Sequence, residues 1–496
     1  MKAITVHADD SVAIALEPLK SGETLSVAGV TVTLLEDIPF GHKIALKDTA
    51  QGETFVKYGE IIGMAKAPVK AGAWVHVHNL KNIELGANGY TYDFNEKSVL
   101  PGKSDVTFMG YARKDGKAGI RNYIAIMPTV FCANGPVEKL GKMLSLKYPE
   151  TENFDGFQVL SHASGCSQSG EDLNMTSKVL ANVAKNANFA GVLYVSLGCE
   201  VNDFKQMNPY IGEFDPERTR FMTLQDEDDE YETGMKLVDE LYAVACKDHR
   251  TPCNIDMLTI GYNCGGSDSF SGITANRLVG DLTDKMTRLG ATTNLTEVPE
   301  MFGAEHILMN RAKDKTVFEK TVTMIQDFKA YFRKYGENPE DNATQGNVEG
   351  GISTLADKSL GCIQKGGKSL VVDIVPHGDR IKENGFNIVV GPGNDLAGIT
   401  GQVAAGSVLI LFTTGRGTPA GFVGPTFRLS TNNVLFKKKP GWNDFNAGRI
   451  LTGEAPEDLA EELYEMVMAT CEGKYRTKNE LHGFYQMGVF KDGVTD

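Results

Sequence analysis

The chain has 496 residues, 41% hydrophobic and 23% charged, with a formal net charge of −14. That length exceeds one ordinary core and predicts two or three globular domains. The acidic balance, without a basic stripe, excludes nucleic acid as a partner, and no apolar run reaches the roughly 18 residues of a membrane helix. The start, MKAITVHADD, has no basic stretch followed by an apolar one, so a cytoplasmic location is expected. Eight cysteines, at 132, 166, 199, 246, 253, 264, 362 and 471, never form C-x-x-C. Reduced thiols are expected, rather than a disulfide framework or a structural zinc site.

Residues 1–80 carry short β-branched segments joined by Gly turns (LKSGETL, IPFGHKIAL, TAQGETFVKYG, VKAGAWVHVHN), which predicts a small all-β domain. Residues 81–107 are polar, aperiodic and Gly- and Asn-bearing, a linker. From 108 onward, short apolar runs end in Gly-rich polar loops. The runs are YIAIMP (123–128), FQVL (157–160), GVLYVSL (191–197), DMLTIGY (256–262), TNLTEV (293–298), SLVVDIV (369–375), FNIVV (386–390) and SVLILFTT (407–414). This rhythm predicts a large α/β body with largely parallel sheets, in two lobes, 108–250 and 251–496, parted near 247–255. Val279, Leu282, Met286 and Leu289 keep helical spacing, and Gly290 is placed to cap that helix. The acidic LQDEDDEYETG reads as a solvated helix start.

Ligands of open α/β sheets bind beyond the carboxyl ends of the strands. Four strand ends here carry chemistry: SHASGCSQSGED (161–172), GCE (198–200), NCGGSDS (263–269) and Glu297. Taken singly, each cysteine reads as a small buried hydrophobe, and Glu171 and Asp172 as dipole-stabilising acids at a helix start. Taken as a set, the loops point to a shared site. In WVHVHN, His76 and His78 alternate on a predicted strand, so both rings share one face and suit a divalent metal. His42 and Lys43 pair an imidazole with a cation, which suits a carboxylate substrate or proton transfer. His7, His249, His377 and His482 read as structural. Arg113, Lys114, Lys117 and Arg121 lie in one cationic loop, and Arg416, in TTGRGTPAG, offers a fork for a carboxylate. GRGTPAG and GCIQKGGKS approximate phosphate-binding loops but lack the required strand and helix context, which excludes a nucleotide enzyme.

HASGCSQSGED, SLGCE, CGGSDSFSGITAN, LTEVPEMFGAEHILMNRA, DKSLGCIQKGGKS, FTTGRGTP and GWNDFNAGR together resemble the altronate/galactarate dehydratase family. The resemblance runs from GHKIAL to VFKDGVTD and gives the first domain a SAF (β-clip) fold. It implies a hydro-lyase for hexonic or hexaric acids that uses a divalent metal, iron or manganese. The GCSQ loop is nearer the altronate members, whose product would be 2-dehydro-3-deoxy-D-gluconate; galactarate or another hexonate or hexarate is the alternative. The chain departs from the family at Arg277, usually Pro, and in 338–351, usually a compact N-P-S-P-G-N-K-x-G-G segment. A metal drawn from His42, His76, His78, His162, Cys166, Cys199 and Glu200 would stabilise the enediolate formed when the C2 proton leaves. Acid/base or catalytic candidates are His42, Lys43, Cys264, Asp268 and Glu297; substrate anchors are Arg121, Ser167, Gln168, Ser269 and Arg416. Two rivals are an iron–sulfur hydroxy-acid dehydratase with Cys166, Cys199 and Cys264 as cluster ligands, and a sugar-acid-binding protein without turnover. The expected partner is the small-molecule sugar acid, and a homo-oligomer is compatible with the sequence.

Overall fold

The computed structural model describes residues 2–83, 89–339 and 343–493. Residues 84–88 of the linker and 340–342 of the divergent segment lie outside the described residues. The N-terminal region is antiparallel β throughout. A four-stranded sheet joins Ala3–Ile4, Val12–Ala15, Lys43–Ala45 and Trp74–Val75, beside the hairpin Thr24–Val27/Val30–Thr33 and a sheet of Thr54–Lys57, Glu60–Ala65 and Leu80–Lys81. Alternation in Thr24–Val27 buries Leu25 and Val27 and exposes Thr24 and Ser26, as a one-faced strand requires.

An α/β body follows. Its first sheet is parallel and orders its strands as Phe157–Val159, Tyr123–Pro128, Phe189–Ser196 and Thr219–Thr223. Tyr123–Pro128 and Phe189–Ser196 are buried along their whole length, which explains their unbroken apolar runs. The second sheet is also parallel, with seven strands in the order Val371–Val375, Gly385–Val389, Thr292–Leu295, Thr259–Cys264, Leu409–Thr414, Thr426–Ser430 and Phe445–Asn446. The strand order reverses at Thr259–Cys264, the place where α/β sheets open a binding crevice. The 247–255 region holds a strand, Thr251–Asn254, paired antiparallel with Thr107–Ala112.

The helix Ala275–Leu289 ends on Gly290 in the left-handed conformation, as its spacing predicts. The acidic stretch does start a helix, Glu230–Ala245, capped by the Asp229 side chain. The helices Gly170–Ala184 and Asp395–Ala405 pack through Val179, Val183, Ile399 and Val403. Asn186, just past the end of the first, donates to the Val403 and Ser407 carbonyls at the end of the second. The two helices therefore run parallel, and the carboxyl ends of both sheets open on the same side. No helix among the described residues is long and apolar enough to cross a membrane.

A candidate active site at the carboxyl ends of the parallel strands

Cys264 closes the central strand of the seven-stranded sheet, and its backbone N–H donates to both Glu297 oxygens at 3.1 and 3.2 Å. Glu297 follows the neighbouring strand and holds φ at +70°, a costly conformation for a residue with a side chain. Lys365 donates to Glu297 at 2.7 Å and to the Cys362 sulfur at 3.3 Å. Lys358 pairs with Glu300 at 2.9 Å. The Cys264 sulfur lies 3.4 Å from Glu300 and 3.9 Å from Cys362. The ligand atoms of Cys264, Glu297, Glu300 and Cys362 all fall within 4.8 Å of one another, so this buried group could hold a metal ion.

Proton affinities are displaced throughout the group. The hydrogen bond to Cys362, with Lys365 nearby, brings the Cys264 thiol down to about 7. Burial and the neighbouring Cys264 push Glu297 well above the usual carboxylate range. For Glu300 burial acts upward too, but Lys358 and Lys365 outweigh it and hold it low. Burial, then Glu300, lifts Asp395 to about 7. A Cβ on Gly265 would meet the Asp395 carboxylate at 2.4 Å, so only glycine lets that acid approach the strand end.

The N-terminal β region closes one flank. Lys43 and Lys57 grip the two oxygens of Asp357 at 2.7 and 3.0 Å, all three fully buried. Asp357 shares the helix Leu355–Cys362 with Lys358 and Cys362. His42 accepts the Trp74 indole N–H at Nδ1 and faces the Glu349 carbonyl through Nε2, while Lys43 donates to the Gly351 carbonyl. Ser269 donates its N–H to the Gly350 carbonyl. Residues 349–351 of the divergent segment are thus clasped between the N-terminal β region and the 263–269 loop. Behind them a cavity of about 10 Å³, bordered by Ser269, Asp357, Lys358 and Cys362, has room for about one water and no sugar acid.

Several candidates have other work in this arrangement. The Trp74 strand stops at Val75, so His76 and His78 do not share a strand face: His76 is buried against Trp74 and His42, and His78 is exposed in the turn. Both His162 nitrogens are engaged, one with the Pro128 carbonyl at 2.7 Å and one with the Ser164 N–H, and burial lowers the ring to about 4. Glu200 accepts from Thr129, Ser196, Leu197 and Gly198, bracing its loop. Asp268 is likewise saturated by Ser271, Thr431 and Asn432. Arg121 is not a free anion fork: it is buried in a bidentate pair with Glu480. Arg416 is half-exposed and pairs with Glu349 at 3.0 Å. Arg277 sits exposed on its helix near Asp281.

The iron–sulfur ligand set of Cys166, Cys199 and Cys264 is divided by the fold. Cys264 is buried in the seven-stranded sheet, whereas Cys166 and Cys199 lie on the rim of the four-stranded one. Ser167 and Gln168 share that rim; Ser167 has φ +51°, and the Gln168 amide oxygen binds the Gly165 N–H. Glu300, Cys362, Lys358, Lys365 and Asp395 escaped the sequence reading. Cys362 and Lys365 lie in the GCIQKGG loop set aside as a failed phosphate motif, and Glu300 sits three residues after Glu297.

Three family models match in succession: an altronate/galactarate dehydratase SAF domain over 1–83, a D-galactarate dehydratase/altronate hydrolase second domain over 110–246, and a D-galactarate/altronate dehydratase C-terminal domain over 255–495. The chain belongs to the altronate/galactarate dehydratase family. It is 42% identical over 495 residues to the altronate dehydratase of Escherichia coli strain K12, covering 100% of both chains. It is 41% identical to the altronate dehydratase of Bacillus subtilis strain 168, covering 99% of each. The galactarate dehydratase (L-threo-forming) of E. coli strain K12 is 31% identical over 98% of this chain and 96% of its own. The buried Cys264 group falls in the segment matched by the C-terminal family domain, and the Cys166 and Cys199 rim in that matched by the second.

Proposed function

We propose that the chain is a hydro-lyase converting D-altronate to 2-dehydro-3-deoxy-D-gluconate. The observation that carries the chemistry is the buried group at the strand-order reversal, where a thiol near neutrality, a carboxyl held protonated and a lysine cation lie in direct contact. The substrate follows from full-length identity to two altronate dehydratases, higher than that to the galactarate relative.

In this reading Cys264, as thiolate, takes the C2 proton, and protonated Glu297 gives its proton to the departing C3 hydroxyl. Lys365 faces the negative charge that gathers on the substrate as the C2 proton leaves. The resulting enol then tautomerises to the 2-keto acid. A divalent iron or manganese ion held by Cys264, Glu297, Glu300 and Cys362 would supply Lewis-acid polarisation. Those donors fit such an ion by type, but Lys358 already holds Glu300 and Lys365 already holds Glu297, so both lysines would have to let go. Cys264 and Glu297 are buried, so the structure must open to admit substrate; parting of the 349–351 clasp from Ser269 and His42 would open that flank and free Arg416 from Glu349 to meet the substrate carboxylate.

The test is 2-dehydro-3-deoxy acid formation from altronate, galactarate, gluconate and mannonate, with Fe²⁺ or Mn²⁺ added. Altronate should lead in kcat/KM by at least about tenfold, the scale of a 1.4 kcal/mol preference. Galactarate matching or exceeding it would overturn the substrate, and no turnover of any acid would overturn the reaction.

A further inference from the structure

The three consecutive carbonyls of residues 349–351 are each taken by a different donor. His42 Nε2 meets the Glu349 carbonyl at 3.2 Å, the Ser269 N–H the Gly350 carbonyl at 3.0 Å, and Lys43 Nζ the Gly351 carbonyl at 2.7 Å. Only glycine fits at 351: φ is +93°, and a Cβ there would lie 2.3 Å from the Gly41 carbonyl oxygen and 2.5 Å from Ser269 Oγ. The donors are not equally free to let go. Lys43 is fixed by Asp357 in a buried ion pair, and Ser269 offers a backbone group. His42 is a neutral side chain that can leave by rotation about its own bonds.

What His42 presents to Glu349 is set from behind. The Trp74 indole N–H reaches His42 Nδ1 at 3.1 Å, and an indole nitrogen can only donate. Nδ1 is therefore the bare nitrogen, and the ring proton sits on Nε2, facing the Glu349 carbonyl. Trp74 is in turn stacked on His76, with the ring planes 10° apart, and the Asn79 amide holds its carbonyl at 2.8 Å. Burial opposes a charge on the His42 ring and outweighs the Glu349 carbonyl, with Lys43 adding to it, so the ring gives up its second proton more readily than an ordinary histidine.

Ser269 Oγ is buried beside Gly351 and has no hydrogen-bond partner among the described residues. A buried hydroxyl left so is costly, and a polar ligand entering as residues 349–351 lift would satisfy it. The small cavity behind these residues borders both Ser269 and Cys362, and the Cys362 sulfur is 3.9 Å from that of Cys264. On the outer side Glu349 holds Arg416. One movement therefore uncovers a hydroxyl, releases a cation and opens the way to the Cys264 group.

We propose that residues 349–351 are a lid over the buried Cys264 group and that His42 is its latch, a positioning residue that never touches the reacting atoms. The latch deepens the proposed dehydratase and rests on that reading for its purpose, but its contacts can be tested without any substrate.

The readout is the accessibility of Cys264. Full-length protein is treated with iodoacetamide, and labelling of each cysteine is followed by peptide mass spectrometry, with exposed Cys199 as internal reference. H42A should label Cys264 about tenfold faster than wild type, the upper end of what one net hydrogen bond holds shut. H42Q should return that rate to within about twofold, because a glutamine amide replaces the two ring nitrogens with one acceptor and one N–H donor. W74F keeps His42 but frees its tautomer, and should raise the rate by about threefold. On altronate, kcat/KM should fall by about tenfold in H42A and recover in H42Q. Cys264 labelling at the wild-type rate in H42A and W74F, or in W74F alone if H42A does not fold, would overturn the latch. So would an H42Q protein that shields Cys264 yet is as inactive as H42A, since His42 would then act chemically. Absence of turnover on every sugar acid strikes the dehydratase reading and leaves the latch to be decided by the labelling.

Discussion

Lys365 and Glu297 meet at 2.7 Å with both side chains shut off from solvent. The same ammonium also reaches the Cys362 sulfur, so one cation touches a carboxyl group and a thiol at once. Burial works against the charge on Lys365, but Cys264, Cys362, Glu297 and Glu300 more than offset it and hold its proton tightly. A fixed cation among groups whose protons are poised is the electrostatic arrangement that proton abstraction beside a carboxylate requires.

Lys365→Met should therefore leave the Cys264 thiolate and Glu300 without the cation that Lys365 supplies. Removing one partner of a buried pair costs about 3–5 kcal/mol, read from the urea midpoint. Turnover should fall by at least about a hundredfold, the scale of losing one preorganised donor. The double variant Cys264→Ser/Lys365→Met should regain most of the stability and none of the turnover. Wild-type turnover in Lys365→Met would remove this group from the reaction.

The Cys264 thiol, brought to about 7 chiefly by Cys362 and then by Lys365, sets the pH dependence. Its folded value lies below the ordinary 9.0, so the folded state favours the thiolate. The stability it contributes is fully present above about pH 9 and is lost as pH falls through about 7. With the thiolate as base, kcat/KM should rise through about pH 7, and Cys362→Ala should move that rise upward. Iodoacetamide labelling of Cys264 against pH checks the same midpoint independently. A profile flat between pH 6 and 8 in both measurements would exclude the thiolate as base.

The alternation of apolar runs with Gly-rich loops made the β region and the parallel α/β body legible in the sequence. Strand ends with chemistry at Cys264 and Glu297 could be read because a strand's carboxyl end is a local signal. Lys365, Cys362 and Asp395 could not be read so, because they join Cys264 only through the order of strands in the sheet. His76 and His78 misled for a physical reason: a period of two holds only while the strand lasts, and here it stops at Val75. Arg121 looked like an anion anchor because its partner Glu480 lies 359 positions away.

Arg121→Lys tests that last assignment. Arg121 donates to both Glu480 oxygens and to the Thr470 and Tyr475 carbonyls, tying the C-terminal helices to the strand Tyr123–Pro128. Lysine keeps the charge but cannot form the fork, so stability should drop by about 2–3 kcal/mol. Because the pair is structural, KM for the sugar acid should stay within about twofold at a temperature where the variant is folded. A tenfold rise in KM without loss of stability would restore Arg121 to the substrate.

Asp357→Asn would test whether the SAF region positions the site. Burial alone would raise the Asp357 carboxyl, but Lys43 and Lys57 overturn that and hold it far below the ordinary range. Lys43 is brought down to about 8, mainly by burial. Without the carboxylate two buried ammonium groups face each other, a loss of about 3–5 kcal/mol at pH 7. A buried lysine with a lowered folded value sheds its proton before the unfolded chain does, at 10.5. Stability therefore rises as pH climbs between those two values, and the deficit of the variant should shrink from pH 7 to pH 10. Asp357 shares its helix with Lys358 and Cys362, so turnover should fall as well, chiefly in kcat. An Asp357→Asn protein as stable as wild type at pH 7, with unchanged kcat, would mean that the SAF region rests on the site without positioning it.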